Sequence, residues 1–121
     1  MNSIDQKLIG IFSLSFNVKI YVPSTVDVNK EGTNLQKYFV NKGLSLFSNY
    51  FGGSTAHKAV GAWNSDKLGL VTEKITILES YCSPESLESN IENVLNFARE
   101  IKSEMKQEAV SLEINSKLYL V

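Results

Sequence analysis

His57 is the only histidine in the chain, and histidine is the residue type that most readily exchanges a proton near neutral pH. A catalytic histidine needs an adjacent nucleophile or an orienting carboxylate, and no Ser-His-Asp or Cys-His pattern can be recognised here. A metal site would need acidic side chains from elsewhere, for which Glu73 and Glu79 are the nearest plausible partners. The sequence therefore predicts no catalytic residue, no metal site and no cofactor, and it favours a surface or edge-strand position for His57.

The run Phe51-Gly52-Gly53-Ser54-Thr55 could hold a phosphate group through its backbone amides and two hydroxyl groups. Phosphate loops precede a helix, so that the positive N-terminus of the helix faces the anion. This run instead follows a predicted helix and precedes a predicted strand. The order favours a glycine cap that ends the helix over a phosphate site.

Glu73 shares the parity of Val71, Ile75 and Ile77, which predicts a carboxylate on the helix-facing side of a central strand. A buried glutamate must be paired or neutralised. One interpretation is therefore an acid that lines a pocket beneath the Gly52-Gly53 joint, the connection between the first predicted helix and the next strand. The alternative is a strand end or a bulge that turns Glu73 outward. Trp63 is either a core residue or an interface anchor. The candidate ligand pocket comprises Gly52, Gly53, Ser54, Thr55, His57, Trp63 and Glu73.

The uncovered face of the predicted sheet is a candidate interface. Alternation places Lys19, Tyr21, Lys74, Leu78 and Tyr119 on this face. Aromatic and basic side chains on a sheet are typical of RNA-recognition modules, but the third strand lacks the aromatic-rich motif of such modules. Two alternatives remain equally open: the face is solvated, or it pairs two copies of the chain.

Composition narrows the class of protein. The chain has 121 residues, of which 43% are hydrophobic and 21% charged, as is ordinary for one globular domain. Its net charge of −1 and its single arginine, Arg99, argue against nucleic-acid binding. Cys82 is the only cysteine, so no intrachain disulfide can form and a reducing cytoplasm is expected. No apolar run approaches the roughly 20 residues of a membrane span.

Periodicity predicts two helices between four strands. Thr33 and Gln36 have the spacing of a capping box, and Ser83-Pro84 opens the second helix with a hydroxyl cap and a proline. Strands are expected near residues 18–22, 57–63, 70–82 and 110–120. The order β-α-β-β-α-β predicts an α+β, ferredoxin-like sandwich, with a four-stranded antiparallel sheet and two helices on one face. Residues 1–15 form an N-terminal extension, and residues 16–121 form a single domain.

Four short motifs occur in order after the first predicted helix: FGGST at 51–55, GAW at 61–63, GLVTE at 69–73 and KQEAV at 106–110. On these motifs the chain resembles an uncharacterised family of small bacterial ferredoxin-like domains of unknown function. It departs from that family around the connection at residues 51–55, where other members have more proline and arginine. The resemblance implies a fold and no mechanism. The Lys/Asn-rich composition also indicates a low-GC bacterium, its phages or its mobile elements.

Together these features predict a non-enzymatic binding or regulatory module, homodimeric, of bacterial, phage or mobile-element origin. The prediction rests on a complete fold without a catalytic constellation. The alternative is a small-molecule-binding protein or small enzyme with a pocket between the Gly52-Gly53 joint and the sheet, using His57 and Glu73. A second copy, another protein or a small molecule is the expected partner, rather than nucleic acid or a membrane.

Overall fold

Two long helices lie against one face of a five-stranded antiparallel sheet in the computed structural model, which describes residues 2–26, 30–31 and 33–121. In chain order the elements are α1 (Ser3–Leu8), β1 (Phe16–Pro23), β2 (Thr25–Val26), β3 (Lys30–Glu31), α2 (Thr33–Phe51), β4 (Thr55–Ser65), β5 (Gly69–Cys82), α3 (Pro84–Glu104), β6 (Ser111–Ile114) and β7 (Lys117–Leu120). The strand order is β4-β5-β1-β6-β7, and β2 pairs with β3 in a separate ribbon. The predicted α+β class is confirmed.

The sheet has one strand more than the sequence predicted, because the last predicted strand is a hairpin. Asn115 and Ser116 adopt φ values of 51° and 69°, as in a two-residue turn whose twist matches that of the strands. The reversal pairs Tyr119 with Leu112, so Tyr119 faces the helix side of the sheet. Leu118 pairs with Glu113 on the opposite face. The predicted parity of residues 117–120 is therefore wrong.

The hydrophobic core lies between the sheet and the helices α2 and α3. It includes the alternate β1 residues Val18, Ile20 and Val22, all with 0% exposure, together with Phe47 from α2 and Val94 from α3. Full burial of each such side chain contributes about 1.5–3 kcal/mol to stability. None of the helices in the described ranges 2–26, 30–31 and 33–121 is long and apolar enough to cross a membrane.

The helix ends follow the sequence signals. Ser83 caps α3, since its Oγ accepts a 3.1 Å hydrogen bond from the amide of Ser86 and Pro84 takes the first helical position. Gly52 ends α2 with a φ of 94°, a conformation that glycine adopts without a steric penalty. The Gly52 amide donates a 2.8 Å hydrogen bond to the Ser48 carbonyl. These caps fix where α2 ends and where α3 begins.

The side chains of β5 lie on the opposite faces of the sheet from those that the sequence predicted. Thr76 and Leu78 lie on the helix side, whereas Glu73 and Ile75 lie on the opposite side. The sequence pattern predicted that the face richer in β-branched residues packs against the helices. In the structure the helices cover the other face, which has the smaller side chains. The reason is the close approach of α2: a Cβ at Gly43 would lie 2.2 Å from Leu78 Cδ1. The larger side chains of β5 therefore line the uncovered face.

Candidate functional site

The side of the sheet away from α2 and α3, called the open face below, carries a row of charged and polar side chains across four strands. Glu79 on β5 is central, with Oε1 2.9 Å from His57 Nε2 on β4, and with Oε2 accepting a 2.9 Å hydrogen bond from Asn17 Nδ2 on β1. Lys19 Nζ lies 3.7 Å from Glu79 Oε2 and 3.4 Å from Glu113 Oε2 on β6. The register explains these contacts, because Lys19 stands directly opposite both glutamates.

The row fixes the charge states of its central groups. Burial alone would raise the pKa of Glu79, but its hydrogen bonds and the nearby Lys19 ammonium outweigh burial and hold the pKa below its usual range. Burial alone would lower the pKa of Lys19, but the hydrogen bond and charge of Glu113 raise it. Both shifts favour the charged forms. At neutral pH Glu79 is therefore a fixed anion and is poorly suited to donating or accepting protons.

Tyr21 connects the charged row to a cavity at one end of the open face. Its hydroxyl donates a 2.9 Å hydrogen bond to Glu113 Oε1, and burial together with this bond raises the pKa of Tyr21. Tyr21 also lines a cavity of about 380 Å³. This volume lies within the range of about 300–1,000 Å³ that small-molecule sites occupy.

Trp63 on β4, Glu73 on β5 and Leu118 on β7 form further walls of this cavity. Trp63 is 48% exposed, so its indole is available to a ligand. Glu73 stands opposite Gly61 in the β4–β5 register, and the missing side chain at Gly61 leaves space beside the carboxylate. The cavity, called the Tyr21–Trp63–Glu73 cavity below, thus combines one carboxylate with two aromatic rings.

Two chain connections hold Glu73 in place. The Thr25 hydroxyl, just after β1, donates a short hydrogen bond to Glu73 Oε2. Gln107, in the connection between α3 and β6, donates hydrogen bonds of 2.8 Å to the Thr25 carbonyl and 2.9 Å to the Met105 carbonyl. A cavity lined by a carboxylate and by aromatic rings attracts a cationic ligand both by the charge of the carboxylate and through the faces of the rings. The arrangement is suited to a cation with an aromatic or apolar body.

The predicted pocket beneath the Gly52-Gly53 joint is not one site. Gly52, Gly53, Ser54 and Thr55 line a separate cavity of about 470 Å³. The Ser54 hydroxyl donates a 2.8 Å hydrogen bond to the Leu44 carbonyl within α2, so it ties the start of β4 to the helix.

His57 and Glu73, predicted to act together, lie apart on the open face. Glu73 pairs with Gly61 and Glu79 pairs with Thr55, which places the two glutamates about 20 Å apart along β5. His57 contacts Glu79, the other acid that sequence reasoning considered. Of the predicted pocket residues, the structure brings Trp63 and Glu73 into one cavity.

The predicted interface is also divided between the two faces of the sheet. Lys19 and Tyr21 lie on the open face as predicted. Leu78 has 0% exposure in the core. Lys74 lines a cavity of about 370 Å³ on the helix side with Thr76. With Tyr119 turned to the helix side by the hairpin, three of the five predicted interface residues do not lie on the open face.

Sequence reasoning missed Thr25 and Gln107, which lie 82 positions apart and meet only through the fold. Thr25 lies in the two-residue strand β2 and Gln107 lies in a connection, and neither place has a periodic pattern that marks a functional position. Cys82 is buried, and burial raises the pKa of its thiol, as expected for a small core residue. Among the described residues, no three His, Cys, Asp or Glu side chains converge as ligands of a metal ion would.

Two solved structures of a phage SAM lyase share this fold. The complex with S-methyl-5'-thioadenosine matches 92% of this chain and 94% of that chain, with a TM-score of 0.65 and 19% identity. The apo state matches 92% and 91%, with a TM-score of 0.66 and 20% identity. At this identity the likeness shows the fold. No family model and no curated protein matches the chain, so membership of the uncharacterised bacterial family stays a prediction.

These matches correct the functional prediction. The sequence predicted a non-enzymatic binding or regulatory module, whereas the two structures that share the fold over more than nine tenths of this chain are of an enzyme. The prediction of a non-enzymatic module is therefore wrong. Phage origin, one of the predicted sources, fits the same matches.

Proposed function

We propose that this protein is a phage enzyme that cleaves S-adenosylmethionine (SAM), and that the substrate binds in the Tyr21–Trp63–Glu73 cavity. The observation that carries the proposal is a cavity lined by a carboxylate and by two aromatic residues, in a chain that shares 92% of its length with the fold of a SAM lyase. The core is a ferredoxin-like β-α-β-β-α-β arrangement to which β7 adds an edge strand. A cytoplasmic location, expected from the single cysteine, belongs to the same proposal.

The chemistry of the cavity matches that of the substrate. SAM carries a sulfonium cation and an ammonium group, and its adenine is a flat aromatic ring. The faces of Trp63 and Tyr21 attract cations at a contribution of about 0.5–2 kcal/mol each. The exposed indole of Trp63 also offers a stacking surface for adenine. The Glu73 carboxylate supplies the negative charge that a substrate cation requires.

The loss of the sulfonium charge during cleavage indicates which group of the substrate Glu73 contacts. When SAM is cleaved to S-methyl-5'-thioadenosine, the electrons of the broken carbon–sulfur bond go to sulfur, which becomes a neutral thioether. A lyase adds no water, so the electron pair that replaces this bond comes from the amino-acid fragment itself, whose carboxylate oxygen can bond to the carbon that sulfur leaves and close a ring. A carboxylate against the sulfonium would stabilise the substrate more than the transition state. Glu73 is therefore better placed on the ammonium group, which keeps its charge throughout.

The test is incubation of the purified protein with SAM, followed by chromatography and mass spectrometry for S-methyl-5'-thioadenosine. Formation of this product is expected for the native protein. Glu73→Gln is expected to lower kcat/KM at least tenfold, because a charge-assisted hydrogen bond is replaced by a neutral one. Glu88→Gln, which removes an exposed carboxylate on α3, is the matched control and is expected to retain the native rate.

Two results would contradict the proposal. The first is the absence of S-methyl-5'-thioadenosine from reactions of folded native protein at high enzyme concentration. The second is product formation that is unchanged in Glu73→Gln and in Trp63→Ala, which would place the reaction outside the Tyr21–Trp63–Glu73 cavity.

A further inference from the structure

Two backbone carbonyls fix the side-chain amide of Gln107. Its Nε2 donates hydrogen bonds of 2.8 Å to the Thr25 carbonyl and 2.9 Å to the Met105 carbonyl. A glutamine amide has two N–H donors and one carbonyl oxygen, so both donors are used. Because the two partners are carbonyl groups, which only accept, the nitrogen must face them and Oε1 must face away. The chain itself therefore holds this amide in one orientation.

The carbonyl oxygen of this amide is open to a ligand. Within residues 2–26, 30–31 and 33–121, no group donates a hydrogen bond to Gln107 Oε1. In the same ranges no buried side-chain oxygen lacks a partner, so Oε1 is an accessible atom. Gln107 also lines the Tyr21–Trp63–Glu73 cavity. A rigidly held acceptor in the wall of a cavity is suited to fixing the orientation of a ligand that carries an N–H or O–H donor.

Glu73 supplies a second acceptor beside Gln107. The Thr25 hydroxyl occupies Glu73 Oε2, and among the described side chains none donates to Oε1 of the same carboxylate. Trp63, Glu73 and Gln107 line both the Tyr21–Trp63–Glu73 cavity and a recess of about 50 Å³, so the recess adjoins the cavity. This volume exceeds the roughly 10–15 Å³ that one water molecule requires. One carboxylate and one amide side chain thus line a space large enough for an ammonium group.

We propose that Gln107 and Glu73 together bind the ammonium group of the substrate, and that Gln107 Oε1 determines specificity for the amino-acid part. This inference rests on the proposed cleavage of SAM and adds a residue to its site. An ammonium group has three N–H donors, of which Glu73 Oε1 and Gln107 Oε1 accept one each. The amide oxygen adds a hydrogen bond to a charged group without adding a second negative charge, so one charge of the protein meets one charge of the ligand.

A pair of ligands separates this role from a structural one, which is needed because Gln107 also links the chain after β1 to the chain after α3. S-adenosylhomocysteine has the adenosine and the amino-acid part of SAM, but its sulfur is a neutral thioether, so its binding is measured without cleavage. S-methyl-5'-thioadenosine has the same adenosine and no amino-acid part. An acceptor for the ammonium group contributes to the affinity of the first ligand alone, whereas a structural support contributes to both.

The first measurement is isothermal titration calorimetry of both ligands with native protein and with Gln107→Met, which keeps the side-chain length and removes the polar atoms. The affinity for S-adenosylhomocysteine is expected to fall about tenfold or more, because a hydrogen bond to a charged group is lost, while that for S-methyl-5'-thioadenosine stays within about twofold. Gln36→Met, at a glutamine that lines a separate cavity, is the matched control and is expected to retain both affinities.

The second measurement uses native protein and does not depend on the folding of a variant. The deaminated analogue of S-adenosylhomocysteine is expected to bind about tenfold or more weakly than S-adenosylhomocysteine itself. Equal native affinities for these two ligands, or an equal loss of S-adenosylhomocysteine and S-methyl-5'-thioadenosine binding in Gln107→Met, would overturn this inference and leave the proposed cleavage standing. Folded native protein that binds neither S-adenosylhomocysteine nor S-methyl-5'-thioadenosine would overturn both.

Discussion

The hydroxyl of Tyr21 donates a 2.9 Å hydrogen bond to Glu113, and the same residue lines the candidate cavity. This bond ties the wall of the cavity to a charged row that spans four strands. Tyr21→Phe keeps the ring and removes the bond. We expect a loss of about 1–2 kcal/mol in the free energy of unfolding, since bonds to charged acceptors are the stronger ones. Urea denaturation measures the loss, and Tyr81→Phe, at an exposed site on β5, is the control.

A second prediction concerns Glu79 and acid. Its pKa is lower in the folded protein than in the unfolded chain. Below neutrality the unfolded state therefore binds more protons than the folded state, and the free energy of unfolding decreases as the pH decreases. The contribution of Glu79 is fully present above the unfolded pKa of about 4.3 and is lost as pH falls through the folded pKa. Native protein is therefore expected to exceed Glu79→Gln in stability at neutral pH, and the gap is expected to close in acid.

Chemical denaturation over this pH range measures the gap. Glu88→Gln, at an exposed site on α3, is expected to differ little from native protein at every pH. A gap between native protein and Glu79→Gln that stays constant from neutral pH to strong acid would show that the charged row does not hold Glu79 in its ionised form.

The third prediction concerns the contact between α2 and β5. Alanine normally stabilises a helix relative to glycine by up to about 1 kcal/mol. At Gly43, however, the added Cβ would lie 2.2 Å from Leu78 Cδ1 and 2.9 Å from Phe97 Cε2, both in the core. Gly43→Ala is therefore expected to destabilise the protein by about 1–3 kcal/mol. Gly53→Ala, where no atom lies within 4 Å of the added Cβ, is expected to be nearly neutral in the same thermal or chemical melts.

The hairpin turn offers a stabilising substitution. Ser116 has a φ of 69°, a left-handed conformation that strains any residue with a Cβ, and glycine is the preferred residue at this position of such turns. Ser116→Gly is expected to raise the free energy of unfolding by about 0.5–1 kcal/mol. Ser111→Gly, within β6, should lower it. Equal destabilisation by both substitutions would contradict the turn assignment.

The last prediction concerns the wall formed by Trp63. If its indole contacts the substrate cation, Trp63→Ala is expected to raise KM for SAM by roughly 2- to 30-fold, which corresponds to about 0.5–2 kcal/mol. Trp63→Phe should retain part of the affinity. Leu70→Ala, at a residue 68% exposed on β5 and absent from the cavity lining, is the control for loss of an exposed apolar side chain. An unchanged KM in Trp63→Ala would remove Trp63 from the substrate site.

Much of the fold was predictable because its signals are local. The cap at Ser83, the glycine at the end of α2 and the alternation of β1 each depend on residues adjacent in sequence. The hairpin at Asn115-Ser116 was missed because Asn-Ser lacks the glycine that marks such turns. The face of β5 was assigned wrongly because alternation defines two faces without stating which one the helices cover.

The candidate site was harder to predict because it depends on register and on chain connections. Trp63 and Glu73 were both chosen from the sequence, but neither periodicity nor spacing could show that they share a cavity with Tyr21. The contacts of Thr25 and Gln107 arise only when the end of β1 meets the end of α3. Glu79 was considered as a partner of His57, and only the pairing of β5 with both β4 and β1 shows it at the centre of the charged row.

The alternation along β5 has an evolutionary consequence. Thr76 and Leu78 meet the core, while Glu73 and Ile75 line the cavity side, so neighbouring positions of one strand experience separate selective pressures. Substitutions at Glu73 and Ile75 can alter ligand preference with little effect on folding. Insertion or deletion of one residue, by contrast, would exchange the two sets and place charge in the core. We therefore expect diverged descendants of this protein to vary in residue type along β5 while keeping its length.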